Sequence, residues 1–270
     1  MKISAASPIG VFDSGLGGLT VFKALARLMP EESLVYFGDT AHVPYGSKSP
    51  EAISRYSGEV AKFLAGRGIK LLVVACNTSS AWALPAIRRA VKVPVIGVIQ
   101  PGARAALAAS RGGRIGVIGT EATVKSGAYP KALKALSRRA RSESAACPLF
   151  VPLVEEGWWT GAVVEAVARR YAAPLKKARV DTLILGCTHY PYLKPVLAKV
   201  LGPRVRLIDS AEETARETER ALSELGLRAA RGRRGRREFF ASDAPERFAR
   251  LGRRMLGAAV GRVKLHPFDA

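Results

Sequence analysis

Two cysteines carry the first chemical signal in this chain. The runs Val73-Val74-Ala75-Cys76-Asn77-Thr78 and Leu183-Ile184-Leu185-Gly186-Cys187-Thr188 each end an apolar stretch on a cysteine beside hydrogen-bonding residues. The cysteines lie 111 positions apart (187 − 76). A second pair of runs, Ile9-Gly10-Val11-Phe12-Asp13 and Ile115-Gly116-Val117-Ile118-Gly119, repeats at 106 positions (115 − 9). Either echo alone is at the level of chance, but the nearly shared offset points to two similar lobes from a duplicated unit. Ligands of open α/β sheets bind beyond the carboxyl ends of strands, so both cysteines would face a cleft between the lobes. Each precedes an expected helix, with Ser79 or Ser80 early in one and Pro191 opening the other. Helix N-terminal amides favour the thiolate. Lowering a thiol from its ordinary pKa of ~8.5 to ~7 requires ~2 kcal/mol, which amides and one charged partner can supply. Two such groups on opposite faces of a stereocentre can invert it, one taking a proton from carbon and the other returning one. Positioned acid–base groups contribute roughly 10²- to 10⁴-fold in rate, and the remainder must come from stabilising the carbanion in a dry, closed site.

The neighbouring residues suit that chemistry, each with a plainer use beside it. Asp13 could relay a proton to a thiol or orient it, or could simply cap a helix. The loop Asp13-Ser14-Gly15-Leu16-Gly17-Gly18 fails the dinucleotide fingerprint because Thr20 stands at the last glycine position. It could present amides and the Ser14 hydroxyl to a carboxylate, or be a tight strand–helix turn. His189, two residues after Cys187, could stabilise a thiolate as imidazolium, or cap the next helix. Cys147, followed by Pro148 and lacking a polar triplet, reads as a small core residue. Three histidines (His42, His189, His266) and no Cys-x-x-Cys pair argue against a zinc site.

The elements that must position these groups alternate. Strands are expected at Ile9–Asp13, Ser33–Gly38, Leu71–Ala75, Val93–Val98, Ile115–Gly119, Leu149–Val154, Thr182–Gly186, Val205–Asp209 and Glu238–Ala241. Runs such as Leu71-Leu72-Val73-Val74-Ala75 are apolar on both faces, as parallel strands covered by helices are. Between them lie helices, one capped by Ser49 ahead of Pro50 and Glu51, another opening on a Ser210–Glu213 capping box and stopping at Gly226. The expected fold is α/β, in two similar lobes with mostly parallel sheets and the active site in the interlobe cleft.

Composition bounds the partners. With 270 residues, 48% hydrophobic and 24% charged, the chain is globular, and 26 Gly with 16 Pro are too few and too aperiodic for collagen or low complexity. Three cysteines exclude a disulfide scaffold and suggest a reducing compartment. No apolar run reaches the roughly 20 residues of a membrane span. The N-terminus, Met1 to Pro8, lacks a signal-peptide core, so a cytoplasmic protein is expected. The net charge of +21 hints at polyanions, and six arginines fall between Arg228 and Arg237. A solvated basic surface is the favoured reading, with weak, non-specific nucleic-acid contact through phosphates at low salt.

The ordered blocks GVFDSGLGG (10–18), FGDT (37–40), PYG (44–46), ACNT (75–78), GTEATVKSG (119–127), CPLFVPLVE (147–155) and GCTHYPYL (186–193) resemble the glutamate racemases. Those enzymes supply D-glutamate for peptidoglycan without pyridoxal phosphate or metal. The resemblance spans roughly residues 9 to 210 and also fits Glu238 to Leu256. It implies that Cys76 handles the proton on the D-glutamate face and Cys187 that on the L-glutamate face. Asp13 would assist Cys76, and His189 would assist Cys187. Substrate would be held by Asp13, Ser14, Tyr45, Gly46, Asn77, Thr78, Thr188 and His189, with Thr123 and Glu155 in supporting positions. It implies lobes of residues 1–97 with 211–270, carrying Cys76, and 98–210, carrying Cys187, and allows a homodimer. A two-cysteine racemase of aspartate or a hydantoin is the alternative reading. The arginine run from Arg228 to Arg237 falls outside the family pattern.

Overall fold

A computed structural model describes residues 3–232, 234–256 and 260–268. Met1 and Lys2, Arg233 of the arginine run, and residues 257–259 and 269–270 of the C-terminal segment lie outside the described residues. The ten described strands are β1 (Ile9–Asp13), β2 (Leu34–Gly38), β3 (Leu71–Val74), β4 (Val95–Gly97), β5 (Arg114–Gly119), β6 (Arg141–Ala146), β7 (Thr182–Gly186), β8 (Arg206–Ile208), β9 (Arg237–Ala241) and β10 (Val263–Leu265). They form a six-stranded sheet ordered β10-β9-β2-β1-β3-β4 and a four-stranded sheet ordered β6-β5-β7-β8. Every pairing is parallel.

The duplication is legible in that order. In each sheet the second strand of the unit precedes the first, and the third and fourth follow it, so β2-β1-β3-β4 matches β6-β5-β7-β8. The two sequence echoes fall on equivalent strands, β1 with β5 and β3 with β7. Chain direction therefore reverses its progress between the first and third strands of each unit. This is the switch point where open α/β sheets bind ligands.

Both faces of each sheet are covered, which is why the strands read as unbroken apolar runs. Ile9, Val11, Leu71 and Val73 enter one core of the first sheet, while Phe12, Leu72 and Val74 enter the other. In the second sheet Ile115, Val117 and Ile184 pack on one side, and Ile118, Leu183 and Leu185 on the other. Each such side chain, withdrawn from water, contributes about 1.5–3 kcal/mol before the entropy of ordering the chain.

Several local expectations hold. Ser49 caps the helix Pro50–Gly66, its side chain accepting from Ala52 N at 3.3 Å. Gly226 adopts φ +66° and closes the helix Ala211–Glu224, with Leu227 N bonding Leu222 O and Gly226 N bonding Ser223 O. The Ser210 capping box does not form. Ser210 is itself helical, and the Asp209 carboxylate accepts from Ala211 N at 3.2 Å instead. The expected strand Leu149–Val154 is the helix Phe150–Glu155. Pro152 stands in that helix's first turn, where its missing N–H has no partner to lose, whereas a strand would have been short of a ladder bond. Two strands were not expected, β6 and β10; the first three residues of β6 are exposed and carry no apolar signal.

The arginine run is partly built into the fold. Arg228 pairs with Glu31 at 2.7 Å and Glu219 at 2.6 Å, and Arg237 begins β9 with its guanidinium on the carbonyls of Pro30 and Glu32. Upstream, the buried Lys70 ammonium meets Glu32 at 2.6 Å and donates to the carbonyls of Ala5 and Leu227, each at 2.7 Å. Among the described residues no helix is long and apolar enough to cross a membrane.

Candidate active site

The carboxyl ends of β1, β3, β5 and β7 meet face to face, and one cavity lies between them. Nine of the twelve residues singled out in the sequence line it: Ser14, Tyr45, Gly46, Cys76, Asn77, Thr78, Cys187, Thr188 and His189. Asp13, Thr123 and Glu155 stand immediately behind, bonded to Thr188, Thr78 and His189 respectively. Val43, Pro44, Thr120 and Val151 complete the lining. Thr120 was missed by sequence reasoning, although it lies inside the GTEATVKSG block.

Cys76 follows β3 and is the N-cap of the helix Asn77–Trp82. Its sulfur accepts from Ser79 N at 3.4 Å and donates to Ser14 Oγ at 3.5 Å. The expectation that amides would bring such a thiol down towards neutrality fails here. Burial, then the negative charge of Asp13, push Cys76 up to about 11, outweighing its hydrogen bonds to Ser14 and Ser79. Cys76 is therefore held as a thiol at neutral pH, the form of a proton donor.

Cys187 follows β7 and faces a different neighbour. His189 Nδ1 lies 3.8 Å from its sulfur, and His189 Nε2 lies 3.2 Å from Glu155 Oε1. Burial alone would lower the imidazole. Its hydrogen bonds to Cys187 and Glu155, and their charges, outweigh burial and raise it to about 10. Glu155 in turn is held below the usual carboxylate range, because His189 and Arg247 outweigh its own burial. The helix Phe150–Glu155 aims that carboxylate at the histidine. His189 makes no side-chain cap bond to the turn that follows it.

Asp13 is fully buried at the end of β1. Its carboxylate accepts from Gly15 N at 3.0 Å and Thr188 Oγ1 at 3.3 Å, and the Gly18 amide also stabilises it. Burial nevertheless raises its pKa. Two of the loop's amides, those of Gly15 and Gly18, thus serve the protein's own carboxylate. Gly17 of the loop, and Gly46 beyond it, allow close approach. A Cβ on Gly17 would collide with Thr188 Oγ1 and come within 2.6 Å of His189 Nδ1, and one on Gly46 would come within 2.6 Å of Thr120 Cβ. Tyr36 OH pins the loop through Gly15 O at 2.8 Å.

Hydroxyls and amides join the lobes around the cavity. Thr78 Oγ1 lies 2.9 Å from Thr120 Oγ1 and 3.1 Å from Thr123 Oγ1, and those two lie 2.9 Å apart. Tyr129 OH donates to Asn77 Oδ1 at 2.6 Å, and Trp82 Nε1 to Ala122 O at 2.8 Å. Tyr45 OH bonds Asp39, whose other oxygen accepts from Ser242 Oγ at 2.6 Å. Cys147 is fully buried in a core cluster, away from the cavity. Among the described residues no group of three or more His, Cys, Asp or Glu could hold a metal ion.

Residues 9–218 match the Asp/Glu/Hydantoin racemase family. A glutamate racemase of Geobacter metallireducens is 53% identical over 255 residues, covering 94% of each chain. The crystal structure of a Bacillus anthracis glutamate racemase superposes with a TM-score of 0.91 at 42% identity, covering 97% of each chain. A Francisella tularensis glutamate racemase in complex with D-glutamate gives a TM-score of 0.91 at 36% identity, covering 97% of this chain and 98% of the other.

Proposed function

The chain belongs to the Asp/Glu/Hydantoin racemase family, and from that premise we propose that it is a glutamate racemase working through Cys76 and Cys187. The observation that carries the chemistry is the unlike pair of thiols on one cavity. Cys76 is a buried thiol near Asp13, while Cys187 adjoins an imidazolium held by Glu155. Full-length relatives at about half identity are glutamate racemases, which favours glutamate over aspartate or a hydantoin.

In the direction from L- to D-glutamate, Cys187 acts as the base. It takes the α-proton as the C–H electron pair passes to the α-carbon and its carboxylate. Cys76 delivers its S–H proton to the opposite face, forming the new C–H bond and leaving a thiolate. The reverse reaction exchanges the two roles. His189 stabilises sulfur charge at Cys187, and Asp13 holds Thr188 and sets the charge felt by Cys76. Ser14, Tyr45, Gly46, Asn77, Thr78, Thr188 and His189 are the substrate contacts in this reading, supported by their place in the lining. The lobes are residues 1–97 with 211–270, and residues 98–210, supported by the membership of the two sheets.

The reaction needs no electron sink beyond the substrate carboxylate and these hydrogen bonds, so the reading includes no cofactor. Three free, buried cysteines suit the reducing cytoplasm, where D-glutamate enters peptidoglycan synthesis. A homodimer is part of the same reading. Circular dichroism of L-glutamate and L-aspartate, each incubated with the protein and no cofactor, tests it. The glutamate signal should decay to zero while the aspartate signal persists; the opposite pattern would transfer the reading to aspartate.

A further inference from the structure

A groove of about 780 Å³ lies outside the interlobe cleft. It lies at the other end of the second sheet, where β5, β7 and β8 begin. The five residue steps of β5 place it roughly 17 Å from the cysteine end. Arg111, Arg114, Lys176, Arg179, Arg204 and Arg206 line it, with Asp181 as the one carboxylate. Asp181 is already satisfied by neutral donors: Ser110 Oγ at 2.6 Å, Gly112 N at 2.8 Å and Thr182 Oγ1 at 2.9 Å. Among the described residues none of the six cations forms an ion pair. Elsewhere arginines find carboxylates, as Arg27 does with Glu212 and Arg228 with Glu31 and Glu219.

Six like charges around one concavity repel one another. The helices ending at Ala109, Lys177 and Leu201 point their carboxyl ends this way, each equivalent to about half a negative charge, and together with the Asp181 carboxylate they stay well short of six. Arg179 adds a second signal. It follows the helix Ala162–Lys177 at φ +53°, with its N–H on Lys176 O and Val180 N on Leu175 O. Glycine is the usual residue of that left-handed stop, because a side chain strains it. Here an arginine occupies it and projects a cation into the groove, and strain of this kind gathers at functional positions.

We propose that this groove is a binding site for a small anion carrying two or more linked phosphates. Guanidinium forks match phosphate oxygens two at a time, and the half-buried or buried Val180, Leu201 and Val205 offer an apolar wall to the remainder of the ligand. The groove is a concave pocket of small-ligand size rather than a linear basic stripe, which favours a compact molecule over a nucleic-acid backbone. The site is independent of the racemase reading.

Calorimetric titration of the full chain with inorganic tripolyphosphate, in about 150 mM salt, tests it. One saturable site per chain is expected. Affinity should fall at least tenfold in Arg179→Gly and in Arg204→Gln with Arg206→Gln. It should stay unchanged in Arg231→Gln with Arg234→Gln, which removes two charges from the arginine run. Arg179→Gly relieves the strained turn, so its thermal midpoint should not fall and lost binding cannot be lost fold. No saturable binding, an equal loss in the Arg231/Arg234 variant, or a short DNA oligonucleotide binding in place of tripolyphosphate would each overturn the proposal.

Discussion

At the scale of single residues, the two thiols differ because their neighbours differ. Cys76 has a carboxylate nearby and little water; Cys187 has an imidazole whose pKa Cys187 itself and then Glu155 raise. The His189 proton is also a stability term. Its folded pKa, about 10, lies above the ordinary 6.5, so the contribution is complete below about pH 6.5 and fades as the pH rises towards 10. Urea unfolding of wild type and His189→Gln should therefore show a wild-type advantage at pH 6 that shrinks by pH 9.5; an advantage independent of pH would contradict the charged histidine. Asp13 has the converse balance, a buried carboxylate whose pKa burial raises. Asp13→Asn should lower kcat/KM at least tenfold, as loss of a positioned acid–base group does, while leaving the thermal midpoint equal or higher. A matching fall in midpoint would make Asp13 structural. Cys76 and Cys187 were legible because thiols are reactive and their runs repeat, and Asp13 and His189 because a carboxylate ends the first strand and an imidazole follows Cys187 by two residues. Thr120 and Tyr129 were not, because a threonine or tyrosine shows nothing of its partner until the lobes meet.

At the scale of elements, the site depends on turns narrow enough to bring strand ends together. Gly17 is the tightest of these contacts, its missing side chain leaving room for Thr188 and His189 of the opposite lobe. Gly17→Ala should fold, since the residue is exposed to no positive-φ demand, but should cut kcat/KM by about tenfold or more by holding the lobes apart. Steady-state kinetics beside a melting curve would show it; unchanged kinetics would mean that the loop yields freely. Strands apolar on both faces were readable almost to the residue, as β1 and β7 show. Residues 149–154 misled because six apolar residues suit either a strand or a helix, and Pro152 was the signal that decides. Strand β6, Arg-Ser-Glu-Ser-Ala-Ala, was invisible because an edge strand can take its stability from its ladder with β5 rather than from its own side chains.

At the scale of the molecule, the cleft is closed. Its cavity of about 20 Å³ has room for about one water and none for the ten non-hydrogen atoms of glutamate. Substrate entry therefore needs the lobes to part, breaking bonds such as Trp82 to Ala122, each worth about 1 kcal/mol net. The same motion exposes Cys76 and Cys187, while Cys147 stays in a core. Peptide mass spectrometry after iodoacetamide treatment should find Cys76 and Cys187 alkylated slowly, slower still with glutamate, and Cys147 untouched until the chain unfolds. Equal labelling of all three cysteines would contradict a closed cleft. The duplicated order of the two sheets was foreshadowed by two short echoes, but closure was not, since sequence spacing says nothing of how far two lobes stand apart. The most direct test of the two-thiol mechanism is deuterium incorporation at the α-carbon of L- and D-glutamate in heavy water, without cofactor, for wild type, Cys76→Ser and Cys187→Ser. Wild type should take up deuterium with inversion, and each serine variant should lose racemisation by at least 10²-fold, because a serine hydroxyl is too weak an acid to exchange roles with a thiol. Full racemisation with deuterium uptake in either variant would contradict it.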